Sequence, residues 1–113
     1  MNDRLLAADV HDLALDLHEV PSDDVLAGTP ETGDRALGSV AGTEVGVWEI
    51  GEGTVRDVEV DEIFVVLSGS GAVEFEDGER IVLGPGVAVR LRAGERTVWE
   101  IASPLRKVYV AAG

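Results

Sequence analysis

Four carboxylates crowd into six consecutive residues, Asp57, Glu59, Asp61 and Glu62, within the stretch VRDVEVDEIFVVL. Such a set suggests either a metal held by oxygen ligands or proton transfer by one inward carboxyl. Strand side chains alternate between faces, so Glu59 and Asp61 are expected on the solvent side if Glu62 points inward. Asp57 would have to reach across. Glu62 heads the apolar run IFVVL and has two readings. With a raised pKa it is a candidate catalytic acid or base, or an anchor for a cationic group. Otherwise it is structural, paired with an arginine or bonded to backbone. Arg56, six residues earlier, is its natural partner on the same face of an unbroken strand. That pair would fix both charges and could present a guanidinium to an anionic ligand.

Other reactive groups are scarce. The chain has no cysteine, which removes disulfides, thiolate nucleophiles and Cys-ligated zinc. The two histidines, His11 and His18, lie near the N-terminus, and no nucleophile elbow accompanies them. The sequence SGSG follows a strand pattern and precedes another, so it is a turn and not a phosphate loop, which needs a helix after it. Asp77-Gly78 is likewise a turn and not a calcium loop.

The elements that must position these residues are read from periodicity. The first ten residues form a helical turn or an arm. DLALDLH (12–18) alternates, with Leu13, Leu15 and Leu17 on one face, which predicts a half-buried strand ended by Pro21. SDDVLAG predicts one helical turn, with Ser22 as cap, Asp23 and Asp24 in the first turn and Gly28 as stop. TPETGD is a loop. RALGSV and TEVGVWEI flank Ala41-Gly42 as a hairpin, and GEGTVRD is a connection. VEVDEIFVVL is the longest strand, ended by SGSG. AVEFE and ERIVL flank Asp77-Gly78, the strongest hairpin signal. GPG leads into VAVRL, RAGE turns, TVWEI is stopped by Ser-Pro, and RKVYVA closes the chain. Eight or nine short strands at spacings of roughly 8–12 residues predict an all-β sandwich or barrel.

The phrases GTPETG, VGVWEIGEG, DEIFVVLSGSGAVEF, VLGPG, TVWEI and RKVYV, in that order and at that spacing, resemble a small single-domain cupin. The subgroup is similar to ureidoglycine aminohydrolase-type and ethanolamine-utilisation cupin domains. The resemblance covers about Leu26 to Val110. It implies a double-stranded β-helix, the cupin jelly-roll barrel with an open mouth, and a homodimer. The expected organisation is an N-terminal arm, strand and short helical turn over 1–25 packed on a barrel over 26–113.

The cupin pattern also places metal ligands. Its first part, His-x-His, three or four residues, Glu, six residues, Gly, is met here by Glu62 and Gly69. The two histidine places fall on Arg56 and Val58 with a gap of three, or on Val55 and Asp57 with a gap of four. In the second part Gly86 and Gly94 fit, while the proline, histidine and asparagine places are Arg92, Thr97 and Ile101. One of four ligand positions survives, too few for a site that normally draws on three protein ligands. No cofactor is therefore expected. A divalent metal on an altered ligand set is the alternative.

Alternation then places the barrel wall. Thr97, at a histidine place, carries Trp99 and Ile101 on its face, so Trp99 should point inward. Trp48 shares a face with Gly46 and Ile50, and Tyr109 shares one with Lys107. Arg92 sits at a turn near the mouth, where it either steers an anion or forms a surface ion pair. The candidate ligand-binding set is Trp48, Arg56, Glu62, Arg92, Thr97, Trp99, Lys107 and Tyr109, with Glu62 the candidate catalytic group and no metal ligand assigned. An aromatic-lined mouth suits a small organic ligand, although each tryptophan has core packing as its plain alternative.

Composition narrows the partners. The chain has 113 residues, 45% of them apolar, and a net charge of -13. One domain is expected. Nucleic acid is excluded because it is bound mainly through cations that neutralise phosphates, and anionic membrane surfaces are disfavoured for the same reason. MNDRLLAADV lacks a long apolar run, so neither a secretory leader nor a membrane span is expected, and the chain reads as cytoplasmic. The leading expectation is a metal-free, homodimeric cupin that binds a small molecule or serves as an accessory domain. Whether it is an enzyme stays open. One alternative is a small-metabolite hydrolase or isomerase with an atypical metal or acid/base site. Another is a structural homodimer whose barrel is filled by Trp48, Trp99, Phe64 and Phe75.

Overall fold

The protein is described by a computed structural model covering residues 3–112. Among these residues nine strands are formed: His18–Glu19 (β1), Val25–Ala27 (β2), Glu31–Val40 (β3), Thr43–Ile50 (β4), Gly53–Val58 (β5), Glu62–Phe75 (β6), Arg80–Leu83 (β7), Ala88–Leu91 (β8) and Arg96–Ala112 (β9). One 3-10 turn, Ser22–Asp24, precedes β2.

The 17-residue β9 organises the rest. On one edge its C-terminal part pairs with β4 and its N-terminal part with β5. On the other edge β6 follows it from Glu62↔Ala111 to Phe75↔Thr97. β8 and β7 then pair with the two ends of β6. The single sheet thus curls around a core of Ile50, Val55, Phe64, Val66, Val73, Leu83, Leu91, Trp99, Ile101 and Leu105. The result is all-β and consistent with the cupin jelly-roll barrel.

Two hairpins are closed by the turns expected of them. Ala41 and Gly42 have φ of 51° and 79°, the two positive values that a tight antiparallel turn requires. At Asp77-Gly78 the Phe75 amide donates to the Glu79 carbonyl at 2.8 Å.

Several element boundaries differ from expectation. Residues 12–17 form no ladder, and only His18 and Glu19 pair with β3. The N-terminal segment is fixed by a side chain instead: Arg106 donates through one nitrogen to the Val10 carbonyl at 2.9 Å and the Leu13 carbonyl at 2.8 Å. Its backbone also lies so close to Gly33 that a Cβ there would overlap the Asp16 carbonyl. The predicted helical turn keeps only its 3-10 residues, without a side-chain cap, and Val25–Ala27 is strand. GEGTVRD holds all of β5 but its last residue, and TPETGD already begins β3.

SGSG and Ser-Pro do not end their strands. β6 and β9 run through both, and the pairing register shifts between Val66 and Gly71. Pro104 has no amide hydrogen to give a ladder, and such a residue is tolerated at an irregularity. Gly69 (φ 91°) takes the left-handed bend opposite it, packed on the Pro104 carbonyl. This shared bend lets β9 leave β4 and join β5.

The predicted strand VEVDEIFVVL is also broken. β5 stops at Val58 and β6 starts at Glu62. Between them Glu59 bonds the 94–95 turn: its amide donates to the Glu95 carbonyl at 2.8 Å, and its carbonyl accepts from the Gly94 amide at 2.9 Å. The corner resets which residues face inward. Val55 and Asp57 pair with inward-facing Trp99 and Thr97, so odd positions point inward before the corner and the even positions Glu62, Phe64 and Val66 after it.

Candidate functional site

The inward residues of β4, β6 and β9 meet around one cation. Lys107 Nζ lies 2.5 Å from Glu62 Oε2. Both side chains are nearly buried, at 6% and 11% exposure. Three rings close around the ammonium, with Phe64 4.3 Å, Trp48 4.5 Å and Trp99 5.1 Å from it to the ring centroids. Trp48 and Trp99 tilt against each other at 5.6 Å, as do Phe64 and Trp99. An ammonium removed from water needs a counter-charge, and aromatic faces supply additional electrostatic stabilisation of up to about 2 kcal/mol or more per desolvated contact. Lys107 has both.

A second centre lies beside the first. Glu59 is 7% exposed. Its Oε2 accepts from Thr97 Oγ1 at 2.6 Å and from Trp99 Nε1 at 3.0 Å. Burial raises the Glu59 carboxyl above its ordinary value. The Thr97 bond opposes that shift, Asp57 adds to it, and the Trp99 bond and the Lys107 charge also oppose it. Asp57 is raised too, first by desolvation. The third centre is Tyr109, whose hydroxyl donates to Glu44 Oε2 at 2.8 Å and approaches Asp34 Oδ2 at 3.4 Å. It lies over Gly46, its cross-strand partner, where any Cβ would collide with it. Burial, then the bond to Glu44, raises the phenol well above its ordinary value.

These centres line one cavity of about 420 Å³ that includes Trp48, Glu59, Glu62, Trp99, Lys107 and Tyr109. Of the predicted site residues, Trp48, Glu62, Trp99, Lys107 and Tyr109 come together there. Thr97 joins through its bond to Glu59, and its wall faces a separate depression of about 750 Å³. Arg56 lines that second depression and does not pair with Glu62. It donates to the Asp23 carbonyl at 2.5 Å and lies 3.8 Å from Asp24 Oδ1. The corner at 59–61 put Arg56 on the opposite face from Glu62, and Lys107 took its place as partner. Arg92 is exposed on a third depression, beside Asp61 and Arg90.

The same corner corrects the reading of Glu59, which was expected on the solvent face. The signal that could have found it is Val60-Asp61 as a turn, together with a tryptophan and a threonine two residues apart that both need a polar partner when buried. Asp34 and Glu44 were not singled out either. They reach the cavity through β3–β4 pairing, which the local pattern does not encode.

A metal at the cupin position does not fit these residues. The histidine places with a gap of four are Val55 and Asp57, which the structure turns inward, and the place on β9 is Thr97. Glu62 is engaged by an ammonium. Among the described residues no group of three or more His, Cys, Asp or Glu is arranged to hold a metal ion. No helix among them is long and apolar enough to cross a membrane.

A comparison with curated proteins gives no match. Among solved structures, a protein of unknown function of the DUF861 family from Pseudomonas syringae pv. tomato superposes with a TM-score of 0.78 at 16% identity. The match covers 92% of this chain and 46% of that one, so the present chain spans about half the length of that relative. The EutQ protein of Clostridium difficile gives 0.65 at 19% identity, covering 84% of this chain and 80% of that one. A putative ethanolamine utilization protein from Salmonella typhimurium gives 0.63 at 18%, covering 88% and 96%. At these identities the likeness speaks for the fold alone. The family model of the EutQ-like cupin domain matches residues 38–109, well over half of the sequence, and the chain therefore belongs to the EutQ-like cupin domain family.

Proposed function

We propose that this cupin is a metal-free small-molecule-binding or accessory domain of the cytoplasm, working as a homodimer. The observation that supports the binding reading most is the Lys107–Glu62 pair inside its ring cage. It puts a cation of the chain's own on the one carboxylate that the cupin pattern retains, and it leaves an aromatic-walled cavity of about 420 Å³ next to it. That size and lining suit a small organic molecule.

Support for the homodimer comes from the outward face of the sheet. Val65 pairs with Ala88 and Val108, and Ile63 pairs with Arg90 and Val110, so these apolar side chains are contiguous. Ile63, Val65 and Val110 are 45%, 41% and 41% exposed, and exposed contiguous apolar surface is what an interface covers. Light scattering on the eluting protein reads this directly, and a monomer would remove the dimer from the proposal.

A second reading, an acid/base enzyme acting on a small metabolite, is favoured by Glu59, a buried carboxyl with a raised pKa in the same cavity. The decisive measurement for the binding reading is elemental analysis of untagged protein prepared without chelator, joined to thermal unfolding with and without EDTA. The expected result is no stoichiometric metal and an unchanged midpoint. About one metal per chain, with a midpoint lowered by EDTA, would overturn the proposal, since a ligand that binds only the native state raises it.

A further inference from the structure

We propose that the cavity beneath Trp48 and Trp99 takes a small organic ammonium ion, held by the free oxygen of Glu59 and by the Glu44–Tyr109 pair, with its hydrocarbon part on the indoles. The inference rests on reading this cavity as a metal-free small-molecule site and adds the ligand's charge and class.

Glu59 supplies the first argument. Its Oε2 already accepts two hydrogen bonds, and its Oε1 accepts none from any described residue. No fully buried side-chain nitrogen or oxygen among the described residues lacks a partner. Glu59 Oε1 is therefore not sealed in the core, and the residue lines the cavity. A carboxylate oxygen held at the wall of a cavity by two donors to its twin is preorganised for a cationic donor.

Charge supplies the second. The groups facing Glu59 across the cavity are Asp57 on β5, Glu62 on β6, Lys107 and Tyr109 on β9, Asp34 on β3 and Glu44 on β4. Lys107 is the lone cation among them and is spent on Glu62. The remaining carboxylates make the cavity negative, so a cation is drawn in and an anion is repelled. The indoles supply the third, because their faces attract an ammonium and bury its alkyl part. The chain already shows the chemistry once, in the cage that its own rings build around Lys107.

The test uses three probes of one shape: n-propylammonium, propanoate and 1-propanol. Both tryptophans of the chain line the cavity, so their fluorescence reports its occupancy, with calorimetry as the second readout. Propylammonium is expected to saturate near neutral pH with a Kd on the order of 1 mM, within reach of a ligand of this size. Propanoate and propanol are expected not to saturate. Glu59→Gln, which keeps an oxygen for Thr97 and Trp99, should weaken propylammonium binding by about tenfold or more. Acidification should weaken it in the unaltered protein as Glu59 takes up its proton, which tests the same point without any variant.

Equal or better binding of propanoate or propanol, no saturation by propylammonium, or an affinity indifferent to both Glu59→Gln and pH would each overturn the inference. Binding of propanoate by metal-free protein would sink the ligand class and leave the small-molecule site standing. A stoichiometric metal in the elemental analysis would sink the underlying reading itself.

Discussion

Lys107 and Glu62 meet at 2.5 Å inside the barrel although 45 residues separate them in the chain. β6 and β9 run antiparallel at this point, and the Lys107 side chain turns along the lumen towards the start of β6, where Glu62 faces Ala111. Glu62 is the residue that stands at the glutamate place of the cupin pattern.

Breaking that pair should cost more than removing it. Lys107→Met is expected to lose about 3–5 kcal/mol, because it leaves a carboxylate buried without a counter-charge. The double variant Lys107→Met, Glu62→Gln should recover at least about 1 kcal/mol of that loss. Urea unfolding of the four proteins gives the coupling, and strictly additive losses would show that the two groups do not depend on each other.

Tyr109 is the single tyrosine of the chain, so its titration can be followed without overlap. Its phenol is raised in the folded state above the 10.0 of a free tyrosine. Stability from this group is complete below pH 10.0 and is lost as pH rises towards the folded value. Native protein at pH 10.0 is expected to show almost no phenolate absorbance, and Glu44→Gln should bring the titration closer to the free value. A phenol half ionised at pH 10.0 would contradict the burial and the Glu44 bond together.

Glu59 gives the opposite end of the pH scale. Its folded carboxyl is raised above the 4.5 of an ordinary glutamate, so its contribution to stability is full below pH 4.5 and declines as pH rises through the folded value. Asp57 has the same sign. The difference in unfolding free energy between the unaltered protein and Glu59→Gln should therefore favour the former most at low pH and shrink as pH rises. A difference that grows with pH would mean that Glu59 is stabilised as an anion.

Gly69 offers a test of the bend. Its φ of 91° lies where L side chains rarely go, and a Cβ would overlap the Pro104 carbonyl. Gly69→Ala is expected to cost more than about 2 kcal/mol, since backbone strain and a clash with main chain add together. Gly84, where a Cβ meets nothing, is the control. A Gly69→Ala change no worse than Gly84→Ala in thermal unfolding would remove the bend from the account.

Much of the barrel was legible before folding is considered. Val-rich alternation, Ala41-Gly42 and Asp77-Gly78 are local signals, and each acts over a few residues where chain stereochemistry decides. Leu13, Leu15 and Leu17 misled for a related reason. Alternation measures which side is apolar, while a ladder needs a free edge to pair with, and the backbone at Val10 and Leu13 is claimed by Arg106. Ser-Pro and SGSG misled in the other direction, because a bulge shared by two strands absorbs residues that would end either strand alone.

Composition and period two alone give the all-β class and the shared faces of Thr97, Trp99 and Ile101, of Trp48 and Ile50, and of Lys107 and Tyr109. That Thr97 faces inward, and that of the metal-ligand places only Glu62 carries its expected residue, is what the cupin resemblance implies. Tertiary structure decided the rest: that the 59–61 corner turns Glu59 in and Arg56 out, that Lys107 and not Arg56 neutralises Glu62, and that Asp34 and Glu44 close on Tyr109. What separates the two is phase: the corner inverts the side chains that follow it as far as the β6 bulge, and the residue that sets it is held by hydrogen bonds to Gly94 and Glu95, a turn 35 residues further along the chain.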